Sequence, residues 1–117
     1  MIPIAISSYT TSNAAGIGNA ATAHALREGR SGLVPNDLEW APLPCWIGRI
    51  ADLDIDDELK MPTTLREFGC RNNRLALLAL GQDGFVAAVG DARRRFGTER
   101  VGVFIGTSTS GILSTEI

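Results

Sequence analysis

Two glycine-bearing stretches, an acidic run, three consecutive arginines, two cysteines and one histidine are where this chain could carry chemistry. Gly106-x-x-x-x-Gly111 has the outer spacing of a loop whose backbone N–H groups cradle phosphates. Such a loop needs Lys and then Ser or Thr directly after the second glycine; Ile112 and Leu113 stand there, and the reading is rejected. Gly16-Ile17-Gly18-Asn19-Ala20-Ala21 fits G-x-G-x-x-A, which in dinucleotide sites brings backbone close to a pyrophosphate at a helix N-terminus. There the first glycine closes a strand, whereas Gly16 comes seven residues after Tyr9, so a packing turn is preferred over a nucleotide site.

The remaining groups read as structural. Cys45 and Cys70 lie far apart and lack C-x-x-C spacing, which favours free thiols over a disulfide or a metal site. His24, the single histidine, falls inside a helical stretch, and no Ser or Cys has the neighbourhood of an activated nucleophile. The acidic residues Asp52, Asp54, Asp56, Asp57 and Glu58 lack the order and the distal Glu of a calcium loop and read as a solvated surface. Arg93, Arg94 and Arg95 close a long helical stretch, where cations complement the C-terminal dipole. No metal or cofactor is expected.

The elements that position these groups come from a chain of 117 residues, the length of one domain or part of one. With 44% apolar and 21% charged residues and a formal net charge of -2, nothing attracts nucleic acid or anionic lipid. No apolar run approaches the ~18 residues of a membrane span, and residues 1–16 lack a basic leader and a continuous apolar stretch, so a cytoplasmic location is expected.

Ile2 to Tyr9 reads as a strand followed by the polar loop Thr10–Asn13. Residues 19–28 read as a helix with Asn19 as its N-cap and Gly29 as its left-handed stop. Between Arg30 and Pro62 four prolines interrupt the pattern, and only Cys45–Ile50 suggests a strand. Residues 72–96 predict one long helix, apolar nearly all round from Leu75 to Val89, extending roughly 35 Å and needing cover on several faces. Gly81, Gly84 and Gly90 each weaken it by up to about 1 kcal/mol relative to Ala. The chain turns at Gly97 and continues as a strand over residues 100–106.

In order and spacing these pieces resemble the N-terminal part of the β-ketoacyl-[acyl carrier protein] synthases. The resemblance spans nearly the whole chain. It rests on an opening strand leading to Gly18-Asn19; on the helix end Ala25-Leu26-Arg27-Glu28-Gly29-Arg30-Ser31-Gly32; on Arg74-Leu75-Ala76-Leu77-Leu78-Ala79; and on Thr98-Glu99-Arg100-Val101-Gly102-Val103-Phe104-Ile105-Gly106-Thr107, similar to the family's ERVGVVIGTG strand. The chain departs from the family at Asn72-Asn73, where Met-Asp is usual, and at Ala15-Gly16-Ile17, where Ser-Pro-Leu is usual. The family's glycine-rich loop after the strand is here Thr107-Ser108-Thr109-Ser110.

The resemblance implies an α/β fold class, the N-terminal segment of a thiolase-like fold, with strands 2–9 and 100–106 in one sheet and helices 19–28 and 72–96 against it. It implies an acyltransferase in which a cysteine takes the acyl group as a thioester and two histidines assist decarboxylation of malonyl-carrier. Those residues come later in the family's sequence than residue 117; neither Cys45, Cys70 nor His24 matches them. Residues 1–117 are accordingly expected to be silent alone, with acyl carrier protein, acyl thioesters and a homodimeric partner belonging to the intact enzyme. Thr109 corresponds to a position lining the acyl pocket in longer-chain members; a hydroxyl that satisfies the loop backbone is the equal alternative. The competing functional reading is a non-catalytic scaffold that completes a thiolase-like fold with another chain.

Overall fold

The computed structural model describes residues 4–50 and 62–107. Its contacts divide the chain into two units, one holding Thr11–Asp52 and the other Met1–Thr10 with Leu53–Ile117. Each is taken by itself.

In the first unit the polar string expected to be a loop forms a small hairpin. Strand β1 (Ser12–Asn13) pairs antiparallel with β2 (Gly16–Ile17), with Ser12 opposite Ile17 and Asn13 opposite Gly16. The Asn13 carboxamide oxygen accepts from the Ala15 N–H at 2.8 Å, an Asx turn that closes the hairpin. Helix α1 (Gly18–Arg27) follows at once. Its start differs from expectation by one residue: Ile17 is the N-cap, no N-cap side chain contributes, and the Ser12 hydroxyl accepts from the Gly18 N–H at 3.3 Å. A serine reaching over from β1 thus takes the part assigned to Asn19, because the hairpin brings it against the helix N-terminus.

The helix ends as its sequence demands. Gly29 has φ +61°, its N–H donates to the Leu26 carbonyl at 3.2 Å, and the Arg30 N–H donates to the Ala25 carbonyl at 2.9 Å. That pair of bonds is the Schellman arrangement, which satisfies carbonyls a helix end would otherwise expose. Ala25 is fully buried, and it is the only buried hydrophobic residue among those described.

Beyond α1, β3 (Leu33–Pro35) pairs antiparallel with β4 (Trp46–Gly48), the register setting Val34 opposite Ile47 and Pro35 opposite Trp46. The strand suggested at Cys45–Ile50 is therefore present in shortened form, and β3 is its unanticipated partner. Residues 36–45 between them are organised by Asn36. Its side-chain amide donates to the carbonyls of Ala41 and Leu43 at 2.7 and 3.0 Å, its carboxamide oxygen accepts from the Leu38 N–H at 3.0 Å, and its own N–H donates to the Cys45 carbonyl at 2.9 Å.

In the second unit, a 3-10 turn (Thr63–Phe68) leads into α2 (Arg71–Leu80), and α3 (Phe85–Phe96) follows. The single helix expected over 72–96 is broken by a 66° bend. The cause is local. Asp83 at φ 54° and Gly84 at φ 68° are consecutive left-handed residues, a conformation costing roughly 1–2 kcal/mol for a residue with a Cβ and close to nothing for glycine. Gly81 and Gly84 weaken the continuous helix by a comparable amount. Neither α2 nor α3 has a buried residue, so no packing overrides the preference of Gly81-Gln82-Asp83-Gly84 for a turn.

Residues 4–11 and 101–107 form no strand among the described residues, so the shared sheet expected of them is not observed there. Val101 has extended dihedrals, φ -116° and ψ 115°, but a strand is defined by a ladder to a neighbour and none lies alongside. The apolar side chains that such a ladder would help cover are open: Ile4 and Ile6 are each 86% exposed and Phe104 88%.

Candidate functional site

The glycine turn that resembled a dinucleotide loop is turned inward on its own helix. A Cβ built on Gly16 would lie 2.6 Å from the backbone carbon of Ala21 and 2.6 Å from the backbone nitrogen of Thr22. The Thr22 hydroxyl donates to the Gly16 carbonyl at 3.2 Å, locking β2 onto the second turn of α1. With the Gly18 N–H given to Ser12, the close approach that a pyrophosphate would need is occupied by protein. The packing-turn reading fits this geometry.

His24 is exposed near the end of α1, where with Arg27 it adds basic character beside the C-terminal carbonyls. Cys45 is exposed and Cys70 half-buried, and both are free. Among the described residues no side-chain hydrogen bond links either thiol to a base, and no group of three or more His, Cys, Asp or Glu is placed to hold a metal ion.

The three arginines fill the last turn of α3. Arg94 pairs with Asp91 one turn back, and the Arg95 guanidinium stands over the Phe96 ring at 5.0 Å, a cation–π distance. Local partners therefore engage two of the three, in keeping with a role at the helix end.

The loop that the family resemblance connects with the acyl pocket is described only at its stem, Gly106 and Thr107; Thr109 lies outside the described residues, as does the acidic run from Asp52 to Glu58. The Thr107 hydroxyl donates to the Asn72 carboxamide oxygen at 3.4 Å, a long bond tying the stem to the first turn of α2. Next to it, the Asn73 amide donates back to the Phe68 carbonyl at 2.8 Å. The Asn-Asn pair that departs from the family's Met-Asp thus fastens α2 at both sides of its start. These contacts were not foreseeable, since the partner residues are distant in sequence or belong to a turn with no strong signature.

Chemically, the described residues can position backbone and present a loop stem; they do not assemble a nucleophile, a base and an oxyanion donor. Compared with known proteins, the chain matches no family model, no curated protein and no solved structure. Among the described residues no single helix is long and apolar enough to cross a membrane.

Proposed function

We propose that this chain is the N-terminal portion of a β-ketoacyl-[acyl carrier protein] synthase of thiolase-like fold, serving a cytoplasmic acyltransferase that condenses an acyl thioester with malonyl-acyl carrier protein. The single observation carrying this reading is the ordered set of four matched stretches, from Gly18-Asn19 to the Val101–Thr107 strand motif. The uncovered apolar residues Ile4, Ile6, Val103, Phe104 and Ile105, in the two stretches that the resemblance makes strands, agree with it. They also suit the second reading, a scaffold completed by another chain.

In the reaction, the acyl group passes from a carrier thiol to an enzyme cysteine, forming one thioester as the other breaks. Malonyl-carrier then loses CO2, and the enolate so formed attacks the acyl carbon, expelling the cysteine thiolate. The proposed contribution of residues 1–117 is scaffold, a wall of the acyl pocket through Thr109, and part of a homodimeric enzyme that docks acyl carrier protein. The nucleophile and both histidines are supplied by other residues.

A chimera tests this: residues 1–117 replace the equivalent N-terminal part of a β-ketoacyl synthase, and 3-oxoacyl product is measured from acyl- and malonyl-carrier. The expected result is product from the chimera and none from residues 1–117 alone. Thr109→Phe in an active chimera is expected to shorten the preferred acyl chain. A folded but inactive chimera refutes the family reading; an unchanged chain-length profile refutes the role of Thr109.

A further inference from the structure

The bend between α2 and α3 is furnished with substitutes for helix hydrogen bonds. The Leu77 carbonyl still receives the Gly81 N–H at 3.1 Å. One residue on, the Leu78 carbonyl accepts from the Gln82 side-chain amide at 2.9 Å, in place of the Gln82 backbone N–H that a continuous helix would bring. That backbone N–H goes instead to the Ala79 carbonyl at 3.1 Å. The third substitute comes from far away in sequence. The Thr10 hydroxyl donates to the Asp83 carboxylate at 2.7 Å and lies 3.3 Å from the Ala79 carbonyl, sharing its one proton between the bend's left-handed aspartate and the end of α2.

We propose that residues 81–84 are a two-state hinge and that the Thr10 hydroxyl is the latch of its bent state, the other state being one continuous helix from Arg71 to Phe96. Both states have support in the chain. The apolar periodicity runs through 72–96 without interruption, so a continuous helix keeps its faces in register. Two glycines and a left-handed aspartate make the turn accessible, and the latch selects it. A conformational equilibrium between packings of similar free energy responds to single hydrogen bonds. Because Thr10 follows the exposed run Ile4–Tyr9, displacing that run by more than a hydrogen bond's reach unlatches the hinge. The device couples the N-terminal segment to the shape of a helix pair about 70 residues away.

Spin labels on native Cys70 and on Arg95→Cys, in a full-length Cys45→Ser background, report the hinge by pulsed electron paramagnetic resonance. At 1.5 Å per residue a continuous helix separates these positions by about 37 Å and the 66° bend by about 31 Å. The expected result is the shorter distance for the parent and for Thr10→Ser, and a shift of about 6 Å to the longer one for Thr10→Val. Gly84→Ala, which penalises the left-handed residue directly, is expected to shift the same way. The proposal is overturned if Thr10→Val or Gly84→Ala keeps the parent distance, or if Thr10→Ser lengthens it. A broad distribution with reduced helical circular dichroism in Thr10→Val overturns it equally, because unlatching must extend helix rather than melt it.

Discussion

Replacing Gly16 by alanine isolates the contact on which the first unit is built. The added Cβ would stand 2.6 Å from two backbone atoms and 2.9 Å from the Ala21 Cβ. Ordinary contact begins near 3.4 Å, so β2 and the second turn of α1 must separate by about 0.8 Å, and overpacking of this kind costs about 1–3 kcal/mol. The same movement stretches the Thr22-to-Gly16 bond from 3.2 Å and the Gly18-to-Ser12 bond from 3.3 Å, each worth about 1 kcal/mol. The total is about 2–4 kcal/mol. A unit of this size has roughly 2–6 kcal/mol to lose at ordinary stability per residue. Thermal unfolding followed by far-ultraviolet circular dichroism should therefore show the melting of α1 lowered by roughly 10–20 °C. Gly29→Ala is the internal control: Gly29 sits at φ +61° with nothing within 4 Å of an added Cβ, so only the backbone term of about 1 kcal/mol applies. If Gly16→Ala unfolds within about 0.5 kcal/mol of the parent, or proves milder than Gly29→Ala, the close approach is not what holds the hairpin to the helix.

Ser12→Ala removes the oxygen that receives the Gly18 N–H and should cost about 1 kcal/mol in urea unfolding, while Asn19→Ala, at the position the sequence suggested as cap, should cost less; the reverse order would reinstate Asn19. Asn36→Ala strips three side-chain hydrogen bonds from the connection between β3 and β4 and should cost about 2 kcal/mol, with amide exchange at Leu38 and Cys45 accelerated. Asn36→Asp keeps the bond from Leu38 and loses both donors, so its stability should fall between the two; equality with the parent would show that the donors contribute nothing.

Local signals were readable where the physics is local. Alanine-rich residues 18–27 ending in Gly29 specify a helix and its stop by propensity and by the freedom of one glycine, and α1 lies within a residue of the expected bounds. The shortened β4 also follows from its apolar run. What could not be read depends on partners. β3 is held by its register with β4, and the β1–β2 hairpin by an Asx turn and by Ser12, so neither has an apolar alternation of its own. Residues 72–96 mislead for the opposite reason: their periodicity is strong, yet periodicity records which side chains share a face and not whether Asp83 and Gly84 keep helical dihedrals when nothing covers them. Of the candidate site, the inward role of Gly16 and the surface position of His24 were legible, because each follows from a turn or a helix already specified. The links from Thr107 to Asn72 and from Thr10 to Asp83 join residues 35 and 73 positions apart, which only the folded chain brings together.

The open run Val101-Gly102-Val103-Phe104-Ile105-Gly106 bears on how long the molecule persists inside a cell. It has no charge and no proline, and Val103, Phe104 and Ile105 face solvent. Quality-control machinery recognises such uncovered, extended, greasy stretches as the mark of an immature polypeptide. The lifetime of this chain is therefore governed less by the melting of its helices than by how soon Phe104 finds a neighbour.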